Sequence, residues 1–170
     1  CINSGCRRIF VLSMYQSASL NNHVANAYRF DAFSRGFVQV LAAEQTSTDE
    51  TWYRGTADAV RQNLNHLRDE PSKRTLVLSG DHLYRMDYAQ FLKNHNKADA
   101  DLSIAVKPVS REAAPELGLL KVDETGRIVR FVEKPSTEAE LDEMVVDTKA
   151  FGLTEKEAAQ YPFLASMGIY

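Results

Sequence analysis

From residue 9 to residue 106 short apolar runs alternate with stretches of helical spacing. That alternation confines the chain to an α/β fold: a mostly parallel, mixed sheet flanked by helices. Residues 9–12 (IFVL) read as the first strand and residues 37–43 (FVQVLAA) as the second. Between them, residues 19–28 carry Leu20, Val24 and Ala27 at helical spacing, with Ser19 placed to cap the helix. Residues 56–67 repeat the pattern, with Val60, Leu64 and Leu67 on one face. A strand at 75–79, a helix over 88–98 and a strand over 102–106 continue the series. At 170 residues the chain has the length of one domain.

After Pro108 the pattern changes. Residues 118–122 and 127–133 read as strands joined by Asp123-Glu124-Thr125-Gly126, a hairpin turn in which Gly126 supplies the positive φ. Residues 145–153 read as a further strand, residues 154–160 as a short helix with Thr154 and Glu157 in a capping box, and residues 163–170 as the last strand. The acidic stretch 136–143 is an exposed loop or helix.

Composition removes several classes of function. A net charge of -3 gives no general attraction to nucleic acid. No apolar run approaches the roughly 18 residues of a membrane span, and the N-terminus lacks a signal-peptide pattern. Cys1 and Cys6 sit together at one end, which suggests neither a disulfide framework nor a zinc site, and a reducing compartment suits such a chain. The chain starts on Cys1 and stops inside the apolar run Ile169-Tyr170, so it reads as an internal piece of a longer protein.

Three segments carry groups suited to chemistry. Leu76-Val77-Leu78 fits a buried strand that Ser79 and Gly80 stop, with Asp81 immediately after. Ligands of open α/β sheets bind beyond the carboxyl ends of strands. There Gly80 would let a ligand approach the backbone, and Asp81 is a hard oxygen ligand for Mg2+. A turn-capping aspartate is the alternative. In the segment running from Trp52 to Ala59, Gly55 permits close approach, Thr56 can cap a helix whose free N–H groups face a ligand, and Tyr53 can bond a sugar hydroxyl. A capped helix pinned by a packed Trp-Tyr pair accounts for the same residues. In Phe131-Val132-Glu133-Lys134-Pro135 the proline confines Lys134 to an extended conformation. Lys134 is then a point charge for a phosphate and Glu133 an acceptor for sugar hydroxyls, while Gly118 on the preceding strand would admit a ligand against the backbone. Exposed strand-end charges and a plain turn glycine are the alternatives. The histidines have no metal-ligand spacing, and His82, beside Asp81, is expected to hold the loop by hydrogen bonds.

Taken in order, these segments resemble the catalytic domain of the glucose-1-phosphate adenylyltransferases (ADP-glucose pyrophosphorylases). The likeness rests on CINSG at 1–5, SASLNNH at 17–23, GFVQVLAAEQT at 36–46, WYRGTADAVRQ at 52–62, LSGDHLYRMDY at 78–88, GLLKVDETGRI at 118–128, FVEKP at 131–135, VDT at 146–148 and ASMGIY at 165–170. Glu44 and Leu117 depart from the residues usual in that family.

The resemblance implies a Rossmann-like nucleotidyltransferase domain and the reaction of ATP with glucose 1-phosphate, with Mg2+, to give ADP-glucose and pyrophosphate. By motif, Asp81 would hold the metal and Lys134 the sugar phosphate. Tyr53, Gly118, Glu133 and Ser166 would line the glucose pocket. Gln45, Trp52, Gly55 and Thr56 would serve the nucleotide. A glycine-rich loop and the first strand would precede Cys1, and a β-helix domain would follow Tyr170. A homotetramer or heterotetramer is implied, in bacterial cytoplasm or, for a plant or alga, plastid stroma. A regulatory, non-catalytic subunit and a pyrophosphorylase for another sugar nucleotide are the competing readings.

Overall fold

A computed structural model of the chain describes residues 1–14, 17–31, 33–34, 36–43, 53–70, 72–81 and 83–170. The chain divides into two compact units. One comprises Cys1–Thr75 with Leu83–Ala100, the other Leu76–His82 with Asp101–Tyr170.

In the first unit β1 (Arg8–Ser13) and β2 (Phe37–Ala42) pair in parallel, from Arg8 opposite Phe37 to Ser13 opposite Ala42. Parallel neighbours require a crossover, and here it contains α1 (Ser17–Ala27). The helix is already formed at Ser17, so Ser19 lies inside it and does not cap it. Of its apolar positions Val24 is buried, while Leu20 and Ala27 are exposed. The single helix expected over 56–67 is two, α2 (Thr56–Gln62) and α3 (Leu64–Arg68). They break at Asn63, whose buried amide turns back to donate to the Ala59 carbonyl at 2.8 Å. Asparagine side chains compete in this way with the backbone for its partners. α4 (Tyr88–Lys97) starts where expected, on Asp87, whose carboxylate accepts from the Gln90 amide.

The second unit is built on a four-stranded antiparallel sheet in the order β3 (Val106–Val109), β6 (Phe163–Ser166), β4 (Gly118–Val122), β5 (Ile128–Glu133). The β4–β5 hairpin turns as expected, with Gly126 at φ 83 and Asp123 accepting from the amides of Thr125 and Arg127. One face of the sheet buries Leu119, Phe163 and Ala165 against Leu141 and Met144, which belong to α5 (Glu138–Glu143) and its C-cap. Thr137 and Glu140 form a capping box at the start of α5; the expected box of Thr154 and Glu157 opens α6 (Glu155–Gln160).

Helices, the parallel β1–β2 pair and the antiparallel sheet together give the mixed α/β architecture expected from the sequence. Four strands differ from expectation. The last, expected over 163–170, ends at Ser166. Residues 145–153 hold no strand: Asp147 caps a 3-10 turn at Thr148–Phe151, and Gly152 ends it at φ 88. The stretch 75–79 is half-buried at its apolar positions and, among the described residues, makes one bridge, Leu78 to Ile169, flanked by hydrogen bonds of Val77 with Tyr170 and of Ser79 with Gly168. Residues 102–105 precede a ladder that starts at Val106, although Ala105 already bonds Met167 and Ile169. Among the described residues no helix is long and apolar enough to cross a membrane.

Candidate functional site

Antiparallel register brings three of the expected site residues into one row at an end of the second unit's sheet. Gly118 is paired with Glu133. Leu119 is paired with Ala165, which sets Gly118 level with Ser166 on its other side. Paired residues of neighbouring strands point to the same sheet face. Ser166, Gly118 and Glu133 therefore share one face across three strands, and Lys134 follows directly.

Gly118 is a space, but its first occupant belongs to the protein. A Cβ there would lie 2.6 Å from Glu133 Oε2 and 2.8 Å from Phe131 Cζ. The glycine lets the Glu133 carboxylate settle over the backbone of β4. Among the described residues neither Glu133 nor the Lys134 ammonium has a hydrogen-bond or ion-pair partner, and both are exposed. Lys134 is not extended as expected from Pro135. Its φ is 47, in the left-handed region. The Lys134 amide still bonds the Leu117 carbonyl, as the next rung of the hairpin, at 3.1 Å. Pro135 is buried and the chain must enter α5 within three residues. A left-handed residue makes that turn where the following proline disfavours a right-handed helical one.

A hydrogen-bonded relay connects this row to Asp81. Ser166 Oγ accepts from the Gly168 amide at 3.2 Å. The Gly168 carbonyl accepts from the Ser79 amide at 3.0 Å, and Ser79 Oγ donates to Asp81 Oδ1 at 2.5 Å. Gly168 has two reasons to be glycine: its φ is 64, and a Cβ would lie 3.0 Å from that of Ser79. Asp81 itself is exposed just beyond the 76–79 stretch. Among the described residues no group of three or more His, Cys, Asp or Glu forms a metal cage. The Asp81 carboxylate, just beyond the 76–79 stretch and with Ser79 beside it, is a donor set that fits Mg2+, which takes one or two protein carboxylates and completes its shell with waters and phosphates.

The other expected residues lie in the first unit or outside the described residues. Tyr53 Oη accepts from Asn63 Nδ2 at 2.9 Å. Gly55 precedes α2 with φ 139, which favours glycine. Thr56 is the first helical residue and does not cap the helix. The segment is held instead by Asp58, whose Oδ2 accepts from the Arg54 amide at 3.0 Å, and which also bonds Arg61 and Gln62. The bond from the Arg54 backbone, then that from Arg61, hold the Asp58 carboxyl below the usual aspartate range. Gln45, Trp52 and His82 lie outside the described residues.

Sequence reasoning passed over Phe131, Gly168 and Asn63. Register alone could have found Phe131, because it lies two residues before Glu133 on the same face. Nothing in the local sequence marks the other two.

The parallel β1–α1–β2 unit and the antiparallel sheet fit the Rossmann-like architecture of nucleotidyltransferase domains. The family model for nucleotidyl transferases matches residues 1–170, and the chain belongs to that family. Its fold is similar to a crystal structure of apo UDP-glucose pyrophosphorylase, with a TM-score of 0.57 and 15% identity over 99% of this chain. The chain spans 60% of the length of that protein.

Proposed function

We propose that the intact protein transfers the adenylyl group of ATP to glucose 1-phosphate, releasing pyrophosphate and forming ADP-glucose. The observation that carries this reading is the row Ser166–Gly118–Glu133 with Lys134 at its end, in a chain that also holds the WYRGTADAV and GDHLYRMDY segments. Lys134 offers its ammonium to the sugar phosphate. The ionised Glu133 carboxylate, which has acceptors only, accepts hydrogen bonds from two sugar hydroxyls, and Ser166 supplies one further polar contact. A phosphate oxygen of glucose 1-phosphate attacks the α-phosphorus of ATP, the bond from that phosphorus to the bridging oxygen breaks, and pyrophosphate leaves. Such a displacement demands positioning and charge neutralisation rather than covalent catalysis by the protein. Asp81 would hold Mg2+, which would supply charge neutralisation for the transferring phosphate. Tyr53, Gly55, Thr56, Gln45 and Trp52 enter this reading from the sequence resemblance alone, as does a tetrameric assembly.

The likeness to UDP-glucose pyrophosphorylase favours a second reading, in which the sugar phosphate is the same and the base differs. Initial rates of pyrophosphate release by the intact protein with glucose 1-phosphate and ATP, UTP, GTP or dTTP separate the two. We expect ATP to be preferred. A preference for UTP would replace the base and keep the sugar site. Absence of release with all four nucleotides would point to a regulatory subunit.

A further inference from the structure

Phe131 is 48% exposed, yet Leu120, its partner across the hairpin, and Leu164 beyond it are fully buried. The neighbouring row, Leu164–Leu120–Phe131, thus ends in an aromatic ring open to solvent. That ring is not isolated. Its Cζ and Cε2 atoms lie 2.8 and 3.3 Å from the point where a Gly118 Cβ would stand, and Glu133 Oε2 lies 2.6 Å from the same point. A ring edge and a carboxylate oxygen therefore converge on one notch, which exists because residue 118 has no side chain.

We infer that Phe131 is a further specificity-determining residue of the sugar subsite, its ring forming the apolar wall for a hexose whose hydroxyls bond Glu133. The inference rests on the sugar-phosphate reading proposed above. A pyranose has faces of C–H groups and a rim of hydroxyls. Aromatic rings carry negative charge on their faces and so attract polarised C–H groups. Small-molecule sites combine apolar and aromatic walls with a few placed polar groups. The sequence Phe131-Val132-Glu133 supplies both on one strand face, and Gly118 keeps them together.

The test uses the intact protein with its preferred nucleotide and three variants, Phe131→Tyr, Phe131→Leu and Phe131→Ala. We expect Phe131→Tyr to keep the KM for glucose 1-phosphate within about twofold. Phe131→Leu and Phe131→Ala should raise it about three- to tenfold, in line with the worth of an aromatic contact, with the KM for the nucleotide unchanged. A wild-type KM in Phe131→Leu would assign the ring to packing and overturn the inference, as would an unchanged KM in Phe131→Ala with only a lowered Tm. Turnover of glucose 1-phosphate by the wild type with an unaffected Phe131 series removes this inference alone. Absence of turnover with any hexose 1-phosphate removes the reading of the site and this inference with it.

Discussion

At Lys134 function and backbone pull in opposite directions. A non-glycine residue in the left-handed region costs about 1–2 kcal/mol, and such strain persists only where the surroundings impose it. Here the imposing contacts are the Leu117–Lys134 rung and the buried Pro135. Lys134→Gly relieves the strain but raises unfolded-state entropy, so we expect unchanged stability or a gain of up to about 1 kcal/mol. Lys134→Gln keeps the strain. Both remove a charge-assisted phosphate contact worth roughly 1.5–3 kcal/mol, so both should raise the KM for glucose 1-phosphate about 10- to 150-fold. Thermal unfolding and steady-state kinetics check the two halves separately. A destabilised glycine variant would contradict the strain, and an unchanged KM would contradict the phosphate role. The expectation of an extended Lys134 went wrong because Pro135 excludes one region and leaves two, and the choice between them lies with Leu117, seventeen residues away. Gly118 and Glu133 were legible as a glycine and a carboxylate at strand ends. Their convergence with Phe131 depends on a register that only the folded hairpin states.

Among the elements, the matches and the misses alike turn largely on local contacts. The β4–β5 hairpin and the caps at Asp87 and Thr154 follow from residues within five positions of one another. The stretch 145–153 is apolar enough for a strand, but Asp147 and Gly152 bracket it as a capped 3-10 turn. Asn63 reads as an ordinary polar residue of one long helix until its amide finds Ala59 and Tyr53. The two capping boxes make a pH prediction. Glu140 is held below its ordinary value of 4.5, first by the Ser136 amide and then by that of Thr137. Glu157 is held below the same value, first by the Thr154 hydroxyl and then by the Thr154 amide. A carboxyl whose folded value is depressed contributes stability that is complete above its unfolded value and is lost as the pH falls through the folded one. Thr137→Ala and Thr154→Ala should each cost about 1 kcal/mol at neutral pH. For Thr154→Ala, which removes a hydroxyl that donates to the Glu157 carboxylate, that cost should shrink as the pH falls below the ordinary glutamate value of 4.5. For Thr137→Ala it should change less, because the Glu140 carboxylate accepts from the Ser136 and Thr137 amides, which the substitution keeps. Equal costs of Thr154→Ala at pH 7 and pH 3, measured by chemical denaturation, would show that the bond from the Thr154 hydroxyl to the Glu157 carboxylate contributes nothing.

At the scale of the whole chain, the fold class and membership of the nucleotidyl transferase family were both legible, because alternation of elements and short polar segments survive without knowledge of contacts. Pairing was less so. β1 bonds β2 along one edge, and among the described residues no strand lies along the other. The stretch 76–79 likewise bonds residues 168–170 on one side, and among the described residues no ladder forms on its second side. Both segments are apolar: Ile9, Phe10, Val11 and Leu12 in one, Leu76, Val77 and Leu78 in the other, each half-buried. An open apolar strand edge is a template for pairing with another chain. Backbone groups withdrawn from water without partners cost about 1–3 kcal/mol each, against a total stability of only ~5–15 kcal/mol for a typical domain. The sequence resemblance places a further strand before Cys1, and the chain covers 60% of the similar pyrophosphorylase. We therefore predict that residues 1–170 expressed alone self-associate or remain partly folded and show no transferase activity, whereas the intact protein unfolds cooperatively. Light scattering on a size-exclusion column gives the association state, and circular dichroism during heating gives the cooperativity. A soluble monomer with one sharp transition would mean that these edges are satisfied within the 170 residues, and the pairing inferred for β1 and for the 76–79 stretch would have to be revised.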